Sequence, residues 1–301
     1  MQPTPLVFLE GPWRLAMGLH ALEIADWLWI DDRWAIETAE RRRLAAQRRD
    51  LVYAALPGSE EACRELLEVV VDWLVRFAPD RFAPARESSV LWVLGERIDL
   101  EDDEPLLVAG RLVQEDLLLL AADGSGTYRL VAGHLCFPLH WKLGDKLGKS
   151  VGEIHEPVPD FARRLGGPTD RFFQALDVAR PVWRANWSLT STPELCLPDR
   201  SDRASTLASE RAGERLWLRV ERQTLRRLPR TKAIAFTVKT RVVRLDEATR
   251  DPAVAAALAA RIREMPEAMA AYKGILPIRT PLLAWLDARA VGAQELAATR
   301  R

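Results

Sequence analysis

The sequence predicts an α+β protein: an antiparallel sheet wrapped by helices at both chain ends. Two hairpin signals and two terminal blocks of helical periodicity carry that reading. The first hairpin is "DLLLLAADGSGTYRLVAGHLCF", two apolar runs around Asp-Gly-Ser-Gly. The second is "LWLRVERQTLRRLP", joined through Arg-Thr-Lys to "AIAFTVKTRVVRL".

The elements follow in chain order. Residues 1–30 are irregular and rich in aromatics. "DDRWAIETAERRRLAAQRRDLVYAAL" reads as one long helix capped by Asp31 or Asp32, with Trp34, Ala35, Ala39, Leu44 and Val52 recurring at helical spacing. "LPGSEE" breaks the chain and offers Ser59 as a new cap for the helix "EEACRELLEVVVDWLVRF". "APDRFAPARESS" is a proline-containing loop. The strands of the first hairpin are apolar on both faces, which predicts a central position under helices. Residues 138–152 return to helical composition, and "TDRFFQAL" is a short helix with Thr169 as cap.

In the second hairpin, strand alternation puts Leu216, Leu218 and Val220 on one face with Arg222 and Thr224. Arg219, Glu221 and Gln223 take the other. On the partner strand Ile234, Phe236, Val238 and Thr240 share a face. "PAVAAALAARIREMPEAMAAYKGI" and "PLLAWLDARAVGAQELAA" are helical.

Composition narrows the function. Hydrophobic residues make up 48% and charged residues 29%, with 43 basic and 43 acidic side chains. That balance gives no nucleic-acid footprint. No apolar run approaches the ~20 residues of a membrane helix, and no secretory signal opens the chain, so a cytoplasmic protein is expected. Cys63, Cys136 and Cys196 lie far apart, and neither CxxC nor CxxCH occurs. This argues against a cysteine-held zinc, a self-contained iron–sulfur cluster and covalent haem. Neither GxGxxG nor a P-loop is present.

Two residues stand out as candidates for chemistry. His155, in "LGKSVGEIHEPVPDFARRLGG", sits where a helix ends and two prolines stiffen the chain. Such a histidine suits an axial metal ligand; a structural role at a helix C-terminus explains it equally well. Arg222, facing inward, requires an anionic partner or a polar cavity. Asp116 or Glu115 would serve, and so would a bound anion. His134 and His140, near Cys136, are fallback ligands. The run "ERRRLAAQRR" reads as a solvated helix face.

The segments "GRLVQEDLLLL", "LVAGHLCFP", "WKLGDKLGKSVGEIHEPVP", "VWRANWSL", "LRVERQTLRRLPRTKAIAFTVKT" and "AAYKG" together resemble the haem-dependent oxidative N-demethylase family, in order from about Trp13 to Leu286. The resemblance implies a haem-binding PAS-like domain over 1–301, with helical extensions at about 1–85 and 250–301. It implies haem b on His155 as metal ligand. It makes Arg222 and Thr224 candidates for the oxygen pocket or a haem carboxylate, with Asn186 and Trp187 lining the same space. It implies oxidation of a small secondary amine such as dimethylamine by dioxygen, with electrons from flavin and iron–sulfur reductase partners. Residues 41–49 would then offer a basic docking surface. A haem-based gas or redox sensor without turnover is the alternative, and a ligand-free member of the fold a third. One departure from the family pattern is "CFPLHW", where Leu139 and His140 follow the proline.

Overall fold

A computed structural model describes residues 5–200 and 211–298. Its ten strands are β1 (His20–Ala21), β2 (Tyr53–Ala55), β3 (Phe82–Pro84), β4 (Val90–Val93), β5 (Glu96–Asp99), β6 (Asp116–Ala122), β7 (Tyr128–His134), β8 (Val182–Thr190), β9 (Trp217–Arg227) and β10 (Ile234–Arg244). Seven form one antiparallel sheet in the order β1-β8-β9-β10-β6-β7-β2, and β3–β5 form a small second sheet. Both predicted hairpins are present. β9 and β10 pair without interruption from Trp217↔Arg244 to Arg227↔Ile234. β6 lies inside the sheet, as its two-sided apolar run requires.

Alternation gives the sheet two different faces. On one, Leu218 and Val220 pack against Leu258, Ile262 and Leu282 of the C-terminal helices. Further along, Ala235 and Leu228 join the core under the helix Glu60–Phe77. That helix buries Ala62, Cys63, Leu66, Leu67, Val70, Trp73 and Leu74, an i, i+3, i+4, i+7 stripe. Each fully enclosed Leu contributes about 1.5–3 kcal/mol. On the other face Leu118, Leu120, Leu225 and Ile234 meet Val151, Phe161 and Phe173, from the helical segment between β7 and β8.

Several local expectations are corrected. The long N-terminal helix is Trp34–Gln47 and stops at Arg48, because Tyr53–Ala55 pairs with β7 as a strand. Asp31 does not cap it in the usual way: its Oδ1 accepts from the Arg33 amide and from Gln114 Nε2. Ser59 does precede its helix, but its hydroxyl donates to the Leu56 carbonyl instead. Thr169 lies inside the helix Gly167–Ala175, with its hydroxyl on Met17 Sδ. The segment 138–152 holds only short turns, Leu143–Lys146 and the start of Val151–Ile154. The supposed solvated face contains Arg41, which is 0% exposed and ion-paired to Asp116 at 2.7 Å. Among the described residues no helix is long and apolar enough to cross a membrane.

Candidate functional site

His155 is held by its own turn of chain. Ser150 and Glu153 form a reciprocal capping box that starts the helix Val151–Ile154, and His155 is its C-cap. His155 Nδ1 lies 2.8 Å from the Val151 carbonyl oxygen. A carbonyl can only accept, so Nδ1 carries the hydrogen and Nε2 keeps its lone pair. The ring stacks on Phe161, with centroids 4.5 Å apart and planes 12° from parallel. Burial holds the imidazole below its ordinary pKa against the pull of the Val151 hydrogen bond. The charges of Arg184 and Lys146 act in the same direction as burial. The histidine is therefore neutral and oriented, with its lone pair on Nε2, the state in which imidazole binds metal.

Across from it, the sheet face is incompletely covered. Val182, Arg184 and Asn186 of β8, Glu221 and Gln223 of β9, and Phe236 of β10 share the face that meets Phe161. All six remain partly accessible, although β9 and β10 are interior strands. The alternate residues of β9 are sealed: Val220 at 2%, Arg222 at 4% and Thr224 at 0% exposure. A hollow therefore lies over the middle of this face. Its apolar side is Val182, Leu225, Phe236 and Phe161. A groove of about 620 Å³ beside it shares Val182, Leu176 and Phe172.

The hollow's polar side is crowded with cations. Arg219, 0% exposed, pairs with Glu221 at 3.3 Å and also donates to the Leu195 and Phe137 carbonyls. Gln223 Nε2 donates to Glu221 Oε2 at 3.2 Å. Lys273 Nζ donates to Asn186 Oδ1 at 3.1 Å and to the Trp187 carbonyl at 2.6 Å. Arg184 lies opposite Gln223 in the strand register. Its Nε is enclosed without an acceptor. Burial lowers its pKa, with only Glu221 opposing.

The structure brings His155 and Asn186 to this face and sends the other predicted residues elsewhere. Arg222 and Thr224 do point inward, but on the opposite side of the sheet from His155. Arg222 donates to the Trp27 carbonyl at 3.1 Å and the Asp26 carbonyl at 2.5 Å, and stacks over Trp29. Its predicted partner Asp116 belongs to Arg41; Glu115 contributes only at a distance. Thr224 shares a 2.7 Å hydroxyl hydrogen bond with Thr237. Trp187 packs edge-on against Phe8 in the C-terminal core. The physical reason is parity: Glu221 and Gln223 alternate with Arg222 and Thr224. The residues sequence reasoning missed are Arg184, Glu221, Gln223 and Phe161. A signal existed, because the stripe Arg219-Glu221-Gln223 is polar on a strand whose other face is apolar.

The fallback histidines do not compete. His134 is fully buried, with Nε2 3.2 Å from Cys136 Sγ and Nδ1 3.5 Å from an Arg41 nitrogen. Burial depresses its pKa far below 6.5. A Cβ on Gly110 would come within 1.7 Å of Nδ1, so no ligand fits there. His140, at φ 61°, donates its amide to the Leu197 carbonyl, in the bridge that Leu139 makes with Leu197. Among the described residues no three His, Cys, Asp or Glu side chains gather as a metal cage. An iron already held in a porphyrin needs only one protein ligand. An amphipathic macrocycle with carboxylates at one edge also suits a hollow that is apolar on one side and cationic on the other.

These features define an α+β protein in which one oriented imidazole faces a partly polar hollow. The family model described as haem-dependent oxidative N-demethylase, alpha subunit-like, matches residues 18–283. The chain belongs to that family.

Proposed function

We propose that the chain is a haem-dependent oxidative N-demethylase subunit that binds haem b through His155 and demethylates a small secondary amine. The observation that carries the reading is the His155 geometry: Nδ1–H fixed on the Val151 carbonyl, Nε2 left for a metal, and a hollow across from it. The strand order supports a PAS-like fold. A hairpin (β6–β7), a helical segment and a three-stranded meander (β8–β10) close with β10 beside β6. On this reading residues 1–301 are one haem-binding domain, extended by helices at both ends.

Bound haem would supply the dioxygen activation. In the net reaction one dioxygen, two electrons and two protons convert the N-methyl group to formaldehyde, leaving the shorter amine and one water. The chain's own part is narrower. Val151 orients the ligand imidazole and keeps its tautomer. Phe161 and Phe236 exclude water from the apolar side. Glu221, held by Arg219 and Gln223, is a carboxylate placed to accept a proton from an ammonium substrate. Electrons would come from a flavin and iron–sulfur reductase partner. Arg41 is unavailable to any docking surface for it, since it is buried.

Ferric haem titrated into the full chain should give a histidine-ligated Soret band, which His155→Ala loses and added imidazole restores. An unchanged spectrum in His155→Ala removes the assignment. With a suitable reductase, NADPH consumption and formaldehyde release should both depend on the amine. Haem binding with no formaldehyde from any secondary amine would leave the sensor reading in its place.

A further inference from the structure

The charges around the hollow identify a second ligand contact. We propose that Arg184 is the anion receptor of the hollow, pairing through its guanidinium with a carboxylate or other anionic ligand that enters the space facing His155. The inference rests on the haem reading for the identity of the ligand.

Among the described residues three cations, Arg184, Arg219 and Lys273, approach the polar side, against the single carboxylate of Glu221. Arg219 already holds that carboxylate and spends its other donors on carbonyls. Lys273 is engaged by Asn186 and the Trp187 carbonyl. Arg184 makes no hydrogen bond to any described residue, and its Nε is shut away from solvent. A guanidinium cannot shed its proton to escape burial, so an enclosed one requires an anion or a set of carbonyls.

The chain's other buried arginines have such partners. Arg41 has Asp116 and the Gly110 carbonyl. Arg222 has the Asp26 and Trp27 carbonyls. Two more have an enclosed nitrogen without an acceptor, yet Arg226 lies 4.5 Å from the Trp27 ring centre and Arg261 pairs with Glu264 at 3.0 Å. Arg184 has neither ring nor ion pair. It also borders the hollow, where a ligand would complete it, and its charge is felt at His155. The guanidinium fork matches a carboxylate bidentately, and the Gln223 amide stands opposite in register.

Two anions share this chemistry: a porphyrin carboxylate and a small anion bound at the iron. Full-length Arg184→Met and Arg184→Lys separate them. Each is titrated with metal-free protoporphyrin IX, with its dimethyl ester, and, after haem loading, with azide. Binding of protoporphyrin IX weakened tenfold or more in Arg184→Met, with ester binding unchanged and Arg184→Lys intermediate, assigns the porphyrin carboxylate. Unchanged porphyrin binding with azide affinity lowered tenfold or more assigns the anion at the iron. Unchanged affinity for all three overturns the inference and leaves the haem reading standing. Failure of the wild-type chain to take up haem at all sinks both. Removing a charge that no described residue pairs should leave folding intact, and Arg184→Lys keeps the charge as a control.

Discussion

The two faces of the sheet treat their arginines differently. Arg222 and Arg184 are both recessed arginines near the centre of the same sheet. Arg222 is 4% exposed and meets two backbone carbonyls and an aromatic ring. Arg184 borders the hollow, and its Nε is enclosed with no acceptor among the described residues. The face of Arg222 behaves as core, where most polar groups are satisfied by protein; the enclosed Arg226 Nε has no acceptor, and that guanidinium lies against the Trp27 ring. On the other face the Arg184 Nε alone lacks an acceptor among the described residues, and such a group calls for a partner outside the fold. On the proposed reading, the difference separates stability from binding between the two faces of one sheet.

Cutting the sealed region should therefore cost stability and spare the hollow. The largest effect is expected from Arg41→Met, which strands the buried Asp116 carboxylate; breaking a buried pair costs roughly 3–5 kcal/mol. Denaturant unfolding checks it, and a loss below about 1 kcal/mol would mean that water reaches Asp116. Next comes Gly110→Ala. The new Cβ would press on His134, whose ring is hemmed in by Arg41 and Cys136. Overpacking of this kind costs about 1–3 kcal/mol, read as a lowered Tm.

Arg222→Met should leave the Asp26 and Trp27 carbonyls without donors, at about 1–3 kcal/mol. Its porphyrin affinity should match wild type. A tenfold loss of porphyrin binding without a fall in Tm would reverse the roles assigned to the two faces.

The smallest effect concerns Glu115. Burial raises its pKa above 4.5, against the opposing charges of Lys239 and Arg222. A carboxyl with a raised folded pKa favours the fold while protonated, and that advantage fades as pH rises from 4.5 through the raised value. Glu115→Gln has no such proton to lose. Its Tm should fall less than that of wild type over the same pH rise, and parallel curves would show that Glu115 ionises freely.

Much of this architecture was legible in the sequence. Period-2 alternation in "LRVERQT" correctly separated Leu218, Val220, Arg222 and Thr224 from Arg219, Glu221 and Gln223. It could not say which side holds the hollow. That is decided by the segment 143–175, which packs on one face, and by the terminal helices, which pack on the other. His155 was visible because its orientation is local: ring, Val151 carbonyl and Phe161 lie within one short stretch. Arg184 was not visible, because a strand arginine looks the same in sequence whether paired or alone. The small sheet β3–β5 escaped notice because strands of three or four residues carry too little alternation. Arg41 read as surface because its partner Asp116 is distant in sequence.

The unbroken pairing of β9 with β10 has a consequence for how slowly different parts of the wall can open. Amides in the middle of that ladder, such as those of Arg222 and Thr237, sit between strands on both sides and exchange with solvent deuterium only through large-scale unfolding. The facing wall is made of short turns: the one-turn helix Val151–Ile154, Asp160 at φ 63°, and a π-helical stretch from Ala162 to Gly166. Those amides should exchange by local opening, many times faster than the floor. A large cofactor would then enter and leave on the clock of residues 151–166, with the sheet standing still.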